Sequence, residues 1–99
     1  MSDLQSIPAD RLGEYQQLLE LLMGNCAVAD EPTLAHARWI SRSALEPSHL
    51  WRSMGLQSRD ELRQVFHDFF PALYAANDKD MRWKKFLYRR MCGWAGFSA

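Results

Sequence analysis

Cysteine is scarce in this chain. Two occur in 99 residues, Cys26 and Cys92, too far apart to form a C-x-x-C. That pattern is typical of buried thiols in a reducing compartment rather than of a disulfide, and neither cysteine makes a metal site alone. Valine occurs only twice, and the alternation that marks a strand is not sustained. No apolar run approaches the ~20 residues needed to span a bilayer. The opening M-S-D-L-Q-S-I-P has neither the basic nor the apolar region of a signal peptide. The expectation is a cytoplasmic protein without a membrane partner. Net charge is lacking too, since 12 basic residues balance 12 acidic ones. The molecule as a whole therefore has no electrostatic drive toward nucleic acid or an anionic membrane.

Catalytic signatures are equally sparse. There is no G-x-G-x-x-G, P-loop, G-x-S-x-G or H-E-x-x-H. No pair of apolar-flanked carboxylates suggests general acid–base work. His36, His49 and His67 fall on different helical segments, with no ligand-like neighbour one turn away. A site made of Cys26, His36 and His49 has no support in the spacing. Ser43, Ser48 and Ser58 read as turn and cap residues. We expect no catalytic residue, no resident metal and no cofactor.

What is present is helical spacing. Ordinary apolar content (47%) and charge (24%) fit a globular chain. Ninety-nine residues bury roughly 60–65% of their unfolded surface, enough for one modest core. The expected fold is all-α, a small single-domain bundle of about five helices over residues 1–99. The first helix runs from about Pro8 to Met23, with Leu12, Tyr15, Leu19, Leu22 and Met23 as its apolar arc; Leu18 and Leu21 fall outside it. Asp30 caps a second helix, with Pro32 in its first turn, that runs to about Ala44. Trp39 lies off its main stripe, either as a second core contact or as a partner contact. A short helix from His49 to Met54 carries Leu50 and Trp51 and stops at Gly55. Ser58-Arg59-Asp60-Glu61 is a capping box that opens a helix with Leu62, Val65, Phe66 and Phe69 on one face. Phe70-Pro71 breaks it, and Ala72 to Ala76 adds one turn.

The stretch Asp78 to Trp94 reads as the last helix. Asp78 and Asp80 open it, pairing with Arg82 and Lys84 at i,i+4, and Gly93 ends it. After Asp80 it holds five of the chain's 12 basic residues, two of its four tryptophans and no acid. Trp83, Leu87, Met91 and Trp94 gather on one side, interrupted by Lys84. Arg82, Lys85, Arg89 and Arg90 gather on the other, with Phe86 among them. Two readings follow: a core helix with a solvated basic back, or a docking surface carrying an aromatic anchor.

Two segments narrow the choice. H-L-W-R-S-M-G-L-Q-S-R-D-E-L covers His49 to Leu62, and F-F-P-A-L-Y-A-A-N-D-K-D-M-R-W-K-K-F-L-Y-R-R-M-C covers Phe69 to Cys92. Together they resemble the body of the NifQ family of nitrogen-fixation accessory proteins, most specifically in N-x-x-D-M-R-W-K-K-F-L-Y-R-x-x-C from Asn77 to Cys92. The similarity covers roughly residues 33 to 94. The family is implicated in delivering molybdenum, through a molybdenum–iron–sulfur cluster, to synthesis of the nitrogenase iron–molybdenum cofactor. Its signature C-x4-C-x2-C-x5-C follows this block, and the sequence in hand stops at Gly96-Phe97-Ser98-Ala99, about where the first of those cysteines falls. Cys92 matches a cysteine ahead of the signature, so the family's metal ligands do not carry over.

The resemblance therefore implies a NifQ-like domain over residues 1–99 that acts as a non-catalytic accessory factor. Its expected partner is the nitrogenase molybdenum–iron protein (dinitrogenase), immature or damaged, or another nitrogen-fixation protein. Arg82, Lys85, Arg89 and Arg90 would meet an acidic partner surface, and Phe86, Trp39 or Trp51 would supply the anchor. The alternative is a molybdenum or iron–sulfur donor, either a fragment of a longer chain or an oligomer sharing Cys26 and Cys92 between subunits. A nucleic-acid role is the weakest of the three, given zero net charge and no helix-turn-helix signature.

Overall fold

The computed structural model describes residues 7–91. The fold is all-α, as expected. A 3-10 turn, Ala9–Arg11, leads into α1 (Leu12–Met23), followed by α2 (Glu31–Ser43), α3 (Leu50–Ser53), α4 (Arg59–Phe69), α5 (Pro71–Ala76) and α6 (Trp83–Arg90). The helices are short, so most of their stability comes from packing an apolar face rather than from propensity.

Local chemistry sets the boundaries. Asp30 is extended, and its carboxylate accepts the Thr33 N–H at 3.0 Å, with Pro32 in the first turn of α2. Helix α3 ends in a Schellman motif. The Gly55 N–H reaches the Arg52 carbonyl and the Leu56 N–H reaches the Trp51 carbonyl, each at 3.0 Å. Gly55 takes φ +82°, where any side chain is strained. Phe70, at φ −132° and ψ 59°, breaks the chain between α4 and α5, and Pro71 starts the next helix where its missing N–H is not needed.

One core gathers residues from all six helices. Leu18 and Leu22 of α1 meet Ala37 and Ile40 of α2, while Leu50, Leu62, Phe66, Phe70, Leu73 and Leu87 close around them. Phe66 stacks on Trp83 with ring centres 4.0 Å apart and 6° between planes, and Phe86 meets Trp83 edge-on at 5.6 Å.

Several boundaries and faces differ from the sequence expectation. The first helix begins with a 3-10 turn, and α-helical geometry starts only at Leu12. Its buried face is Tyr15, Leu18 and Leu22, so Leu18 is central to the core while Leu12, Leu19 and Met23 lie at its margin. The spacing 15, 18, 22 faces α2 and α6 together, and two neighbours cover a wider arc than one. Neither bond of the capping box forms, and Glu61 reaches one residue past the cap instead. Ser58 occupies the N-cap without a side-chain bond, and Glu61 accepts the Gln57 N–H at 2.7 Å.

The last helix starts later than expected. Asn77 holds the turn before it, accepting the Met81 N–H at 2.8 Å and donating to the Met81 carbonyl at 3.0 Å. Asp80 takes φ +53°, which ends helical geometry there. Arg59 binds the Asp80 and Met81 carbonyls at 3.2 and 2.9 Å and pairs with the Asp80 carboxylate at 2.9 Å. The expected pairs Asp78–Arg82 and Asp80–Lys84 are therefore not formed, and α6 begins at Trp83. Phe86 is a second revision, being only 5% exposed and part of the core. It lies ~60° round the helix from Trp83, at the border of the two faces. It tucks inward while the Arg90 guanidinium stands over its ring, 5.8 Å from the centre. The expected ending at Gly93, and Trp94 with it, lie outside the described residues, as does Cys92.

Replacing Phe66 with alanine removes a fully buried ring and the stack on Trp83, and should cost ~3–5 kcal/mol. Val28→Ser, at a position 62% exposed, should change stability by less than ~0.5 kcal/mol. Urea unfolding of the two variants beside the parent checks both values; equal losses would contradict this core.

Candidate functional site

A groove of about 1220 Å³ runs between α3 with its Pro47–His49 entry, Arg59 at the start of α4, the Asp80–Arg82 turn and the outer side of α6. Its cations are Arg59, Arg82, Lys84, Lys85 and Arg89, against one carboxylate, Asp80. Asp80 is engaged by Arg59, whose hydrogen bond holds the carboxyl below its ordinary range. Lys84 donates to the Glu46 carbonyl, and burial lowers its pKa from the usual lysine value. Arg82, Lys85 and Arg89 remain, and they form no ion pair among the described residues. Half-buried Trp51 lines the same groove, with buried Leu62 and Trp83.

The wall formed by α6 is held from behind by a buried polar contact. Glu14 of α1 is 9% exposed. Arg11 grips it with two bonds, Nε to Oε1 at 2.8 Å and Nη2 to Oε2 at 3.0 Å. The buried Tyr88 hydroxyl of α6 donates to the same carboxylate. Arg11 also reaches the Leu45 carbonyl at 3.2 Å, tying in the end of α2. The Arg11 hydrogen bond holds the Glu14 carboxyl below the usual range, against the opposing effect of burial. Burial raises the Tyr88 hydroxyl well above its ordinary value, and its bond to Glu14 adds to the rise. Sequence reading missed this contact. Only Arg11 and Glu14 at i,i+3 gave a signal, and nothing local points from Glu14 to a tyrosine 74 positions away.

The groove brings together some of the expected site residues and separates others. Arg82, Lys85, Arg89 and Trp51 line it. Arg90 lies over Phe86, and Phe86 belongs to the core. Trp39 sits on α2, 37% exposed, tilted against His36 at 5.9 Å, while His36 stacks on Phe69 at 4.0 Å. That aromatic patch is separate from the groove. Among the described residues no group of three His, Cys, Asp or Glu could hold a metal ion. The half-buried Cys26 thiol donates to the Met23 carbonyl at 3.1 Å, and His36 Nδ1 lies 2.8 Å from the Pro32 carbonyl. Such an arrangement suits recognition: a positive wall for charge and aromatic surface for burial.

Comparison with known proteins extends the family likeness over nearly the whole chain. The NifQ family model matches residues 2–99, well beyond the 33–94 range suggested by the motifs. The chain belongs to the NifQ family. It is 40% identical over 93 residues to protein NifQ of Rhodobacter capsulatus, covering 93% of this chain and 52% of that protein. Protein NifQ of Azotobacter vinelandii is 39% identical over 82 residues, 83% of this chain and 42% of its own length. A NifQ homolog of Sinorhizobium fredii is 38% identical over 96 residues, 96% of this chain and 42% of that protein. The chain thus spans about half the length of the curated relatives it matches. No solved structure matches it. Family membership marks a protein of nitrogen fixation.

Because the folded pKa of Glu14 is depressed, its stabilising effect is complete above the ordinary carboxyl value of 4.5 and is lost as pH falls through the lower folded value. Glu14→Gln should therefore reduce stability at pH 7 and flatten the loss seen below about pH 5. Denaturant midpoints of parent and variant across pH 2–7 check this, since Asp30, Asp68 and Asp80 titrate alike in both; parallel acid limbs would exclude Glu14 as a contributor.

Proposed function

We propose that this NifQ-family chain is a non-catalytic accessory factor that binds the nitrogenase molybdenum–iron protein, or an intermediate in its assembly or repair, through the groove beside α6. The observation that carries this reading is the set of three cations, Arg82, Lys85 and Arg89, without ion-pair partners among the described residues and gathered beside Trp51. Charges placed this way steer an acidic partner and set its orientation, and tryptophan is among the residue types enriched at binding hot spots. Arg90 and Trp39 lie off the groove and contribute little to the contact.

A second reading has its own support. The curated relatives are about twice as long as this chain, so the sequence is also compatible with the body of a longer molybdenum or iron–sulfur donor. In that case the metal cluster is cargo, held by cysteines beyond those described.

Anaerobic mixing with dinitrogenase, both as isolated and cofactor-deficient, followed by native mass spectrometry, separates the two readings. A binding factor gives a discrete complex without added metal, and Arg89→Glu weakens it ~10-fold or more while leaving the fold intact. Absence of a complex, together with iron or molybdenum bound to a longer form of the chain that carries further cysteines, would favour the donor.

A further inference from the structure

The groove is larger than a small-ligand site requires. Pockets for small molecules usually measure ~300–1,000 Å³ and enclose most of the ligand. This one is about 1220 Å³ and partly open to solvent. A single small anion would leave most of it empty. Its polar and apolar features are also divided. Arg82, Lys85 and Arg89 form a stripe along one wall, with Lys85 and Arg89 one helical turn apart. From Arg82 to Arg89 the stripe is ~10 Å long. Half-buried Trp51 offers apolar surface within the same groove, above the buried Leu62.

We infer that the groove takes a short acidic polypeptide segment carrying an apolar side chain, the carboxylates meeting the α6 stripe and the apolar group lying against Trp51. This deepens the proposed function and rests on it, naming the part of the partner that is recognised. Charge complementarity selects the occupant. Five cations face one carboxylate, and that carboxylate is already paired with Arg59. The chain as a whole is neutral, so the positive excess here is balanced by acids elsewhere on its surface. A nucleic-acid backbone, charged continuously beyond ~10 Å, would run from the groove onto those acids. A short acidic segment ends before reaching them.

The test titrates the intact protein against a short labelled peptide of glutamates interrupted by leucines, read by fluorescence anisotropy. The same peptide with glutamine for glutamate, one with alanine for leucine, and a thymidine oligonucleotide serve as comparisons. The glutamate–leucine peptide should bind at least ~10-fold more tightly than any of the three. Arg89→Glu and the combined Arg82→Gln, Lys85→Gln change should each weaken it by a similar factor, and Trp51→Ala should weaken it with a smaller change in salt dependence. Circular dichroism establishes that each variant is folded. No binding of the peptide, equal binding by folded variants, or tighter binding of the oligonucleotide overturns the inference. Native mass spectrometry with dinitrogenase keeps the two ideas apart. If dinitrogenase binds parent and groove variants alike, the groove assignment is wrong and the accessory reading stands. If the peptide binds at the groove and dinitrogenase does not bind at all, the groove assignment stands and the partner is wrong.

Discussion

The contact of Tyr88 with Glu14, backed by Arg11, is the constraint on which the arrangement of this protein depends. It joins the last described helix to the first across 74 positions of sequence. An apolar contact there would bury area without fixing rotation. A hydroxyl donating to a carboxylate held by two guanidinium bonds fixes both the rotation of α6 and its height along α1. Leaving that carboxylate buried without its partners would be costly, so the three side chains act as a unit. The outward direction of Lys85 and Arg89 follows from the rotation that Tyr88 sets, because both lie on the same short helix.

Charge separation within a neutral chain is the second theme. Equal numbers of acids and bases suggest a surface of evenly mixed sign, yet the one carboxylate that lines the groove is engaged. Asp80 belongs to Arg59 and Glu14 belongs to Arg11. Lys84, which interrupts the apolar side of α6, is turned to the Glu46 carbonyl instead of solvent. Among the charges that line the groove, those without an ion pair have one sign. Net charge is therefore a poor guide to a protein of this size, while the pairing of individual charges is informative.

Much of the fold was legible from local rules. Asp30 with Pro32, Gly55, and the Phe70-Pro71 break mark boundaries through interactions within a few residues, and each falls where those rules put it. Failures came where distant residues decide. The two aspartates before α6 look like helix openers until Arg59 draws Asp80 into a left-handed turn. Phe86 sits on the border of two helical faces, so its inward position depends on Trp83 and Arg90 rather than on periodicity. Of the candidate site, the cationic stripe was visible because helical spacing groups Lys85 with Arg89. Its juxtaposition with Trp51 was not, because only the packing of the core sets α3 and α6 on the two sides of one groove.

The turn before α6 bears on the thermodynamics of recognition. Asn77 clasps both backbone groups of Met81, and Arg59 holds the carbonyls of Asp80 and Met81 from the opposite helix. A connection clamped from within and from outside has little backbone freedom left to lose. Arg82, the next residue, is thus presented on a backbone already ordered before any partner arrives. The entropy that a flexible loop would surrender on association has been spent during folding, so more of each contact is available as affinity.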